Sequence, residues 1–279
     1  MMSVLERSGP GTAEAPTDLG ERGIVFEGVG KTFLTKSGPT RALDDVSLTI
    51  GRGEFVTLIG PSGCGKSTLL KIAAGLIDHD EGDVNLFGQT VEAAAASKNI
   101  GLVPQSPALL PWRTVLGNVK LPLQVNRRAK LDRELPDPVE LLRLFGLGEA
   151  IDKRPAQLSG GMQQRVSIAR AFYFEPAVLL MDEPFSALDE FTREMLRDEL
   201  LRIWDRDKKT VLFVTHSVTE AVAVSDRVVV MSARPGRIRA VIDIDLPRPR
   251  PEGIETTLEF HEFEDLIRKE LKGGWNHGS

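Results

Sequence analysis

Cysteine is almost missing. The 279 residues hold one, Cys64, so an internal disulfide is excluded and a reducing cytosol is expected. Long hydrophobic runs are missing as well. No stretch approaches the roughly 18 to 20 apolar residues that a membrane-spanning helix needs. The opening run MMSVLERSGPGTAEAPTDLG lacks the apolar stretch of a secretory signal. Nor is there an excess of positive charge. With 35 Lys and Arg against 40 Asp and Glu the net charge is −5, which disfavours a nucleic-acid coat and leaves room only for a local basic patch. No repeat recurs at a period of about 20 to 50 residues. The chain is therefore expected to be cytosolic and to reach a membrane only through a partner. What it does have is a globular balance of 41% apolar and 27% charged residues, on a length that suits one large domain or one and a half average ones.

Residues 1 to about 21 are rich in Gly, Pro, Ala, Thr and acidic groups and are read as a disordered tail. From Gly23 the pattern becomes ordered. GIVFEGVGKTF and ALDDVSLTI alternate apolar and polar residues, as half-buried antiparallel strands do, with LTKSGPT (34–40) as the turn between them. EFVTLIG (54–60) and AVLLMD (177–182) are nearly continuous apolar runs, which suits strands buried on both faces of a parallel sheet. TVLFVTH (210–216), DRVVVMS (226–232), DVNLFG (83–88) and NIGLVPQ (99–105) are further strand candidates. A helix is expected from Lys66 to about Ala74, closed by Gly75. Residues 112–157 carry helical periodicity broken by Pro122, Pro136, Pro138 and Pro155, and a helix from Gly161 to Phe174 buries Val166, Ala169 and Phe172 behind Met162. An amphipathic helix follows over 190–206, and spaced prolines after Pro247 lead to a short helix over 263–271. Strands alternating with helices imply an α/β fold around a mainly parallel sheet.

The strongest local motif is Gly60, Pro61, Ser62, Gly63, Cys64, Gly65, Lys66, Ser67 and Thr68, which satisfies G-x-x-x-x-G-K-[ST] between an expected strand and an expected helix. Glycines let the backbone wrap an oxygen-rich group, and the amides and the helix N-terminus then point inward at phosphate. Lys66 can reach the β- and γ-phosphates and the Ser67 hydroxyl can ligate Mg2+. Asp182 and Glu183 end the apolar run at 177–182. An Asp at a strand tip beside such a loop holds Mg2+, usually through water, and a second carboxylate can polarise an attacking water. A thiol at Cys64, near a helix N-terminus and two residues from Lys66, is expected to be reactive and open to solvent, against the alternative of a small buried apolar side chain.

These motifs, with LSGGMQQR (158–165) between them, resemble the ATP-binding cassette family over roughly residues 23–245. The resemblance implies a P-loop NTPase fold with a RecA-like core sheet, an antiparallel β subdomain and a helical insertion at about 106–160. It implies ATP and Mg2+ as ligands, an ATP-binding domain over 22–245, and a C-terminal tail over 246–279. Gln105 looks like the family's Q-loop glutamine, which touches Mg2+ and senses the transmembrane partner. SALD (186–189) looks like the D-loop, and His216 resembles the switch histidine at the γ-phosphate. Phe33 sits where the family stacks an aromatic on adenine, with a core Phe as the alternative. Ser159, Gly160 and Gly161 would start a helix and offer a second anion-binding end. In the family that end, together with Asp189, closes on the ATP of a second subunit, so a head-to-tail homodimer with two ATPs is implied. Met162 departs from the common LSGGQ form.

LLPW after Gln105 and SARPGRI (232–238) are similar to the ATPases of the nitrate/sulfonate/taurine importer group. That resemblance implies two membrane permease subunits, an indirect link to a solute-binding protein, no nucleic acid, and a place on the cytoplasmic face of the inner membrane. Leu109, Leu110 and Trp112 form an apolar cluster that would either dock a coupling helix of a permease or pack between subdomains. Two other classes of ATPase share such motifs. DNA-repair members carry long coiled coils between the P-loop and the signature, whereas 93 positions separate Lys66 from Ser159 here without heptads. An adaptor ATPase for cofactor assembly or lipid extraction remains open as the alternative.

Overall fold

The chain's structure is a computed structural model that describes residues 22–36, 38–125, 133–186 and 188–273, so the tail expected over 1–21 lies outside the described residues. β1 (Arg22–Thr35) and β2 (Gly38–Gly51) pair antiparallel. Val46, Leu48 and Ile50, two apart on β2, are buried together with Ile24, Phe26 and Val29 of β1. Their connection is shorter than the expected turn at 34–40. Pairing runs as far as Thr35 opposite Gly38, where the Thr35 hydroxyl also donates to the Gly38 carbonyl at 2.7 Å.

β3 (Phe55–Ile59) is buried at every position and leads through residues 60–65 into α1 (Lys66–Ala73). β4 (Glu81–Leu86) and β5 (Gln89–Thr90) return to the first sheet, whose order is β2-β1-β4-β5. α2 (Val91–Ala96) precedes β6 (Ile100–Val103). The insertion follows as short helices, α3 (Val115–Val119), α4 (Leu121–Gln124) and α5 (Pro138–Leu144). Thr114 caps α3, and Asp137 caps α5 ahead of Pro138, which suits the first helical position. α6 (Gly160–Tyr173) ends this layer.

β7 (Val178–Asp182), α7 (Glu190–Asp207), β8 (Thr210–Val214), α8 (Val218–Val224), β9 (Arg227–Met231), β10 (Ile238–Asp243) and α9 (Leu258–Gly273) complete the chain. The second sheet has the order β10-β9-β3-β8-β7-β6. Its strands run parallel from β9 to β6, and only β10 is antiparallel. The result is an α/β fold of the P-loop type with a mainly parallel core sheet, an antiparallel sheet and a helical insertion.

The antiparallel sheet and α1 cover one face of the core sheet, and the insertion, α6 and α7 cover the other. The C-terminal helix is longer than the expected 263–271, and β10 was not among the expected strands. Phe260 and Ile267 of α9 share a buried cluster with Ile59, Ala221, Val228 and Leu246. The described part of the segment read as a tail over 246–279 is thus packed onto α8 and β9. No helix among the described residues is long and apolar enough to cross a membrane.

Candidate nucleotide site

The carboxyl ends of β3, β6, β7 and β8 converge on one edge of the core sheet, where open α/β sheets bind ligands. The loop at residues 60–65 leaves β3 there. Gly63 and Gly65 have φ of +75° and +95°, a left-handed conformation that glycine adopts without penalty. A Cβ at Gly65 would also stand 2.5 Å from Leu43 and 2.9 Å from the Ala42 carbonyl. The loop is therefore wrapped against β2, with the open N-terminus of α1 behind it. Lys66 folds back across the loop, its ammonium donating to the carbonyls of Gly60 at 2.8 Å and Pro61 at 3.1 Å. Its third contact is the Cys64 sulfur at 3.7 Å, and an ammonium held by neutral acceptors in a concave backbone loop is placed to exchange them for phosphate oxygens.

Opposite, Ser67 donates its hydroxyl to Asp182 Oδ1 at 2.7 Å. Asp182 is the last residue of β7 and is buried. Burial pushes its carboxyl above the usual carboxylate range, and the Ser67 hydroxyl, Lys71 and Lys66 only partly offset that push. Glu183 has φ of +45°, strained for a side chain of its size. The strain is held by its amide on the Val214 carbonyl at 2.9 Å, and by Ser186, whose amide and hydroxyl both donate to the Glu183 carbonyl. That turn aims the carboxylate at two partners. Gln105 Nε2 donates to Glu183 Oε2 at 3.0 Å, and His216 Nδ1 lies 3.5 Å from the same oxygen. The His216 side chain is 64% exposed, so it is not a packed core histidine.

The remaining expected residues stand apart. Ser159 is the N-cap of α6 and accepts from the Met162 amide at 3.2 Å, with open space where a Gly160 Cβ would lie. Asp189 is the N-cap of α7, accepting from the Thr192 amide at 2.9 Å, and that bond holds its carboxyl below the usual range. Among the described residues no hydrogen bond or ion pair links Ser159, Gly160, Gly161 or Asp189 to the phosphate loop. Phe33 lies at the far end of β1, outside the core clusters, with Lys31 Nζ 5.7 Å from its ring centroid.

The reading of Cys64 as an open, reactive thiol is overturned. Cys64 is fully buried in the cluster beneath the antiparallel sheet, and burial raises its thiol further than the nearby Lys66 lowers it. Two features escaped the sequence reading. Gly236, in the SARPG run, packs on the back of the phosphate loop, where a Cβ would meet the Cys64 carbonyl at 2.1 Å. Its proline–glycine pair signals a turn, but nothing local says what the turn touches. Asn118 is the second. Buried, it accepts from the Leu110 amide at 2.7 Å and donates to the Leu110, Arg113 and Thr114 carbonyls. With Arg170, which donates to the Pro107 and Ala108 carbonyls at 2.8 Å each, it fixes the loop after Gln105 and leaves Trp112 69% exposed.

A family model described as ABC transporter matches residues 43–186. An uncharacterized ABC transporter ATP-binding protein of Methanocaldococcus jannaschii is 48% identical over 249 residues, 89% of this chain and 91% of that protein. The aliphatic sulfonates import ATP-binding protein SsuB of Bacillus cereus is 41% identical over 251 residues, 90% of this chain and 96% of its own length. Among solved structures, a dimeric post-hydrolysis state of the ATP-binding cassette MJ0796 bound to ADP and Pi matches with a TM-score of 0.70 and 32% identity, over 80% of this chain and 100% of that one.

Proposed function

The chain belongs to the ABC transporter family and is an ATPase, and from that premise we propose that it is the energising subunit of a solute importer. In this reading residues 22–245 form the ATP-binding domain, with the helical insertion at about 106–160. The subunit works as a homodimer beneath two permease subunits on the cytoplasmic face of the inner membrane, supplied by a solute-binding protein. The solute is small, of the nitrate, sulfonate or taurine kind. Its support is the similarity, along nine tenths of the chain, to an aliphatic sulfonate import ATP-binding protein.

The site reading rests on one juxtaposition: Glu183 held between Gln105 and His216, beside a phosphate loop joined to Asp182 through Ser67. The amides of Gly63, Cys64, Gly65, Lys66, Ser67 and Thr68 and the Lys66 ammonium bind the phosphates of ATP, with Gly60, Pro61 and Ser62 shaping the turn. Phe33 stacks on the adenine. Glu183 accepts a proton from the attacking water, and His216 donates to the γ-phosphate. Ser159, Gly160, Gly161 and Asp189 face the ATP of the second subunit.

Magnesium fits the donors present. Ser67, Asp182 and Gln105 offer hard oxygens at the phosphate loop, too few for an all-protein cage. Among the described residues no group of three or more His, Cys, Asp or Glu could hold a metal, so phosphate and water would complete the ion's shell. When bound, Mg2+ neutralises charge on the β- and γ-oxygens.

Glu183→Gln tests the assignment. Turnover should fall by about 100-fold or more with ATP binding kept, and Mg-ATP should shift the variant to a dimer on size exclusion. Equal hydrolysis by parent and variant removes Glu183 from the role. Co-purification with a polytopic membrane protein, and adjacent reading frames for a permease and a binding protein, distinguish import from the adaptor reading.

A further inference from the structure

One ion pair with a buried carboxylate takes no part in this chemistry. Glu220 lies on α8, four residues after His216, and its carboxylate is buried. Thr215, the neighbour of His216 in the chain, donates its hydroxyl to Glu220 Oε2. The Ser217 amide donates to that hydroxyl's oxygen at 3.0 Å, and the Glu220 amide donates to the Ser217 hydroxyl at 3.2 Å. Both residues that flank His216 are therefore tied to Glu220.

Arg193 meets Glu220 from α7, its Nε 3.5 Å from Oε1. The same guanidinium donates to the Leu188 carbonyl at 3.0 Å and to Glu190 at 2.8 Å. Leu188 and Glu190 are the residues on either side of Asp189. One planar fork thus donates to the Leu188 carbonyl before Asp189 and to the Glu190 side chain after it, while its Nε makes an ion pair, without a hydrogen bond, to the Glu220 carboxylate tied to Thr215. Burial pushes the Glu220 carboxyl up, and the Thr215 hydroxyl, Arg193, His216 and Arg197 only partly offset that push.

We propose that Arg193 and Glu220 are positioning residues that couple the Asp189 turn to His216 within one subunit. Asp189 faces the partner's nucleotide and His216 the chain's own, so the pair sets the histidine according to whether the partner surface is engaged. The proposal rests on the roles of Asp189 and His216 given above. Lysine cannot replace Arg193, because a point charge cannot reach the carbonyl and the carboxylate together. Neither residue touches nucleotide, so substrate affinity should stay while turnover falls.

Steady-state ATP hydrolysis by the full chain tests this. R193K and E220Q should each lower kcat by about tenfold with KM for ATP within about twofold. The R193K/E220Q double should lose no more than either single. In an H216A background the substitutions should cause no further loss. Parental kcat in R193K, or a full extra loss in the H216A background, overturns the link. If either single melts early, R193M/E220Q carries the test, since it removes both charges and keeps an acceptor for Thr215. Parental kcat in that folded variant also overturns the proposal. The two readings fail differently. Parental turnover in H216A brings down the histidine's role and the link with it, whereas an inactive H216A beside a fully active R193K sinks the link alone.

Discussion

Gly236→Ala adds one methyl group at a position where the backbone conformation is ordinary but the space is not. The new Cβ would stand 2.1 Å from the Cys64 carbonyl oxygen and 2.9 Å from that of Ala42. Both are backbone atoms, so no side-chain rotation relieves the contact. Gly236 cannot retreat either, because its amide donates to the Ala42 carbonyl and its carbonyl accepts from the Asp44 amide, each at 3.0 Å. The phosphate loop must move. Overpacking of this kind costs about 2 kcal/mol, and in a chain of this size that lowers the melting temperature by roughly 4 to 8 °C. Displacing Cys64 also shifts the amides of Cys64 and Gly65, so ATP affinity should fall by at least about tenfold. Gly63→Ala is the control for stability. A Cβ there meets nothing within 4 Å, and φ of +75° leaves only conformational strain, about 1 kcal/mol. Calorimetric melting of the nucleotide-free protein and titration with ATP measure both effects. A Gly236→Ala protein that melts within about 1 °C of the parent and binds ATP equally well would refute the claim that this turn braces the phosphate loop.

Three further outcomes are expected. The native protein should resist maleimide at Cys64, with or without ATP, and take up one equivalent only after unfolding. Intact-mass spectra decide this, and rapid labelling of the folded chain would contradict the burial. Asp182→Asn should abolish hydrolysis yet raise the melting temperature at neutral pH. The folded carboxyl is held above its unfolded value, so ionised Asp182 destabilises the fold as pH rises through the raised value. The gain should shrink as pH falls from that raised value towards the ordinary unfolded carboxylate value, below which both states bind the proton, and a melting difference independent of pH would count against it. Finally, mixing Lys66→Ala with Ser159→Arg should give an ATP-dependent heterodimer. Each variant alone lacks both complete sites, while the mixture has one site with both halves sound. Failure of the two to associate with ATP would remove the main support for sites shared between subunits.

What the sequence determined by itself is what local chemistry encodes. The runs at 55–59, 178–182 and 210–214 are apolar at nearly every position because both faces of their strands are covered, and that composition marks a core parallel sheet without any structure. The glycines of the phosphate loop and the lysine–serine pair after them declare an anion-binding turn within nine residues, so their place between β3 and α1 was legible. Asp182 and Glu183 were legible as the polar tip of an apolar strand. Partnership across the chain was not. That β3 lies between β8 and β9, that Gly236 braces Cys64, and that Arg193 reaches both Leu188 and Glu220 are decided by packing between segments far apart in sequence. Cys64 shows the limit most plainly. Its neighbours Gly63, Gly65 and Lys66 describe an open electropositive loop, yet its side chain turns the other way, into the cluster beneath the antiparallel sheet. Local sequence specifies which backbone groups face the ligand, but only the tertiary fold decides what fills the space behind them, because that space is bounded by residues the chain brings in from elsewhere.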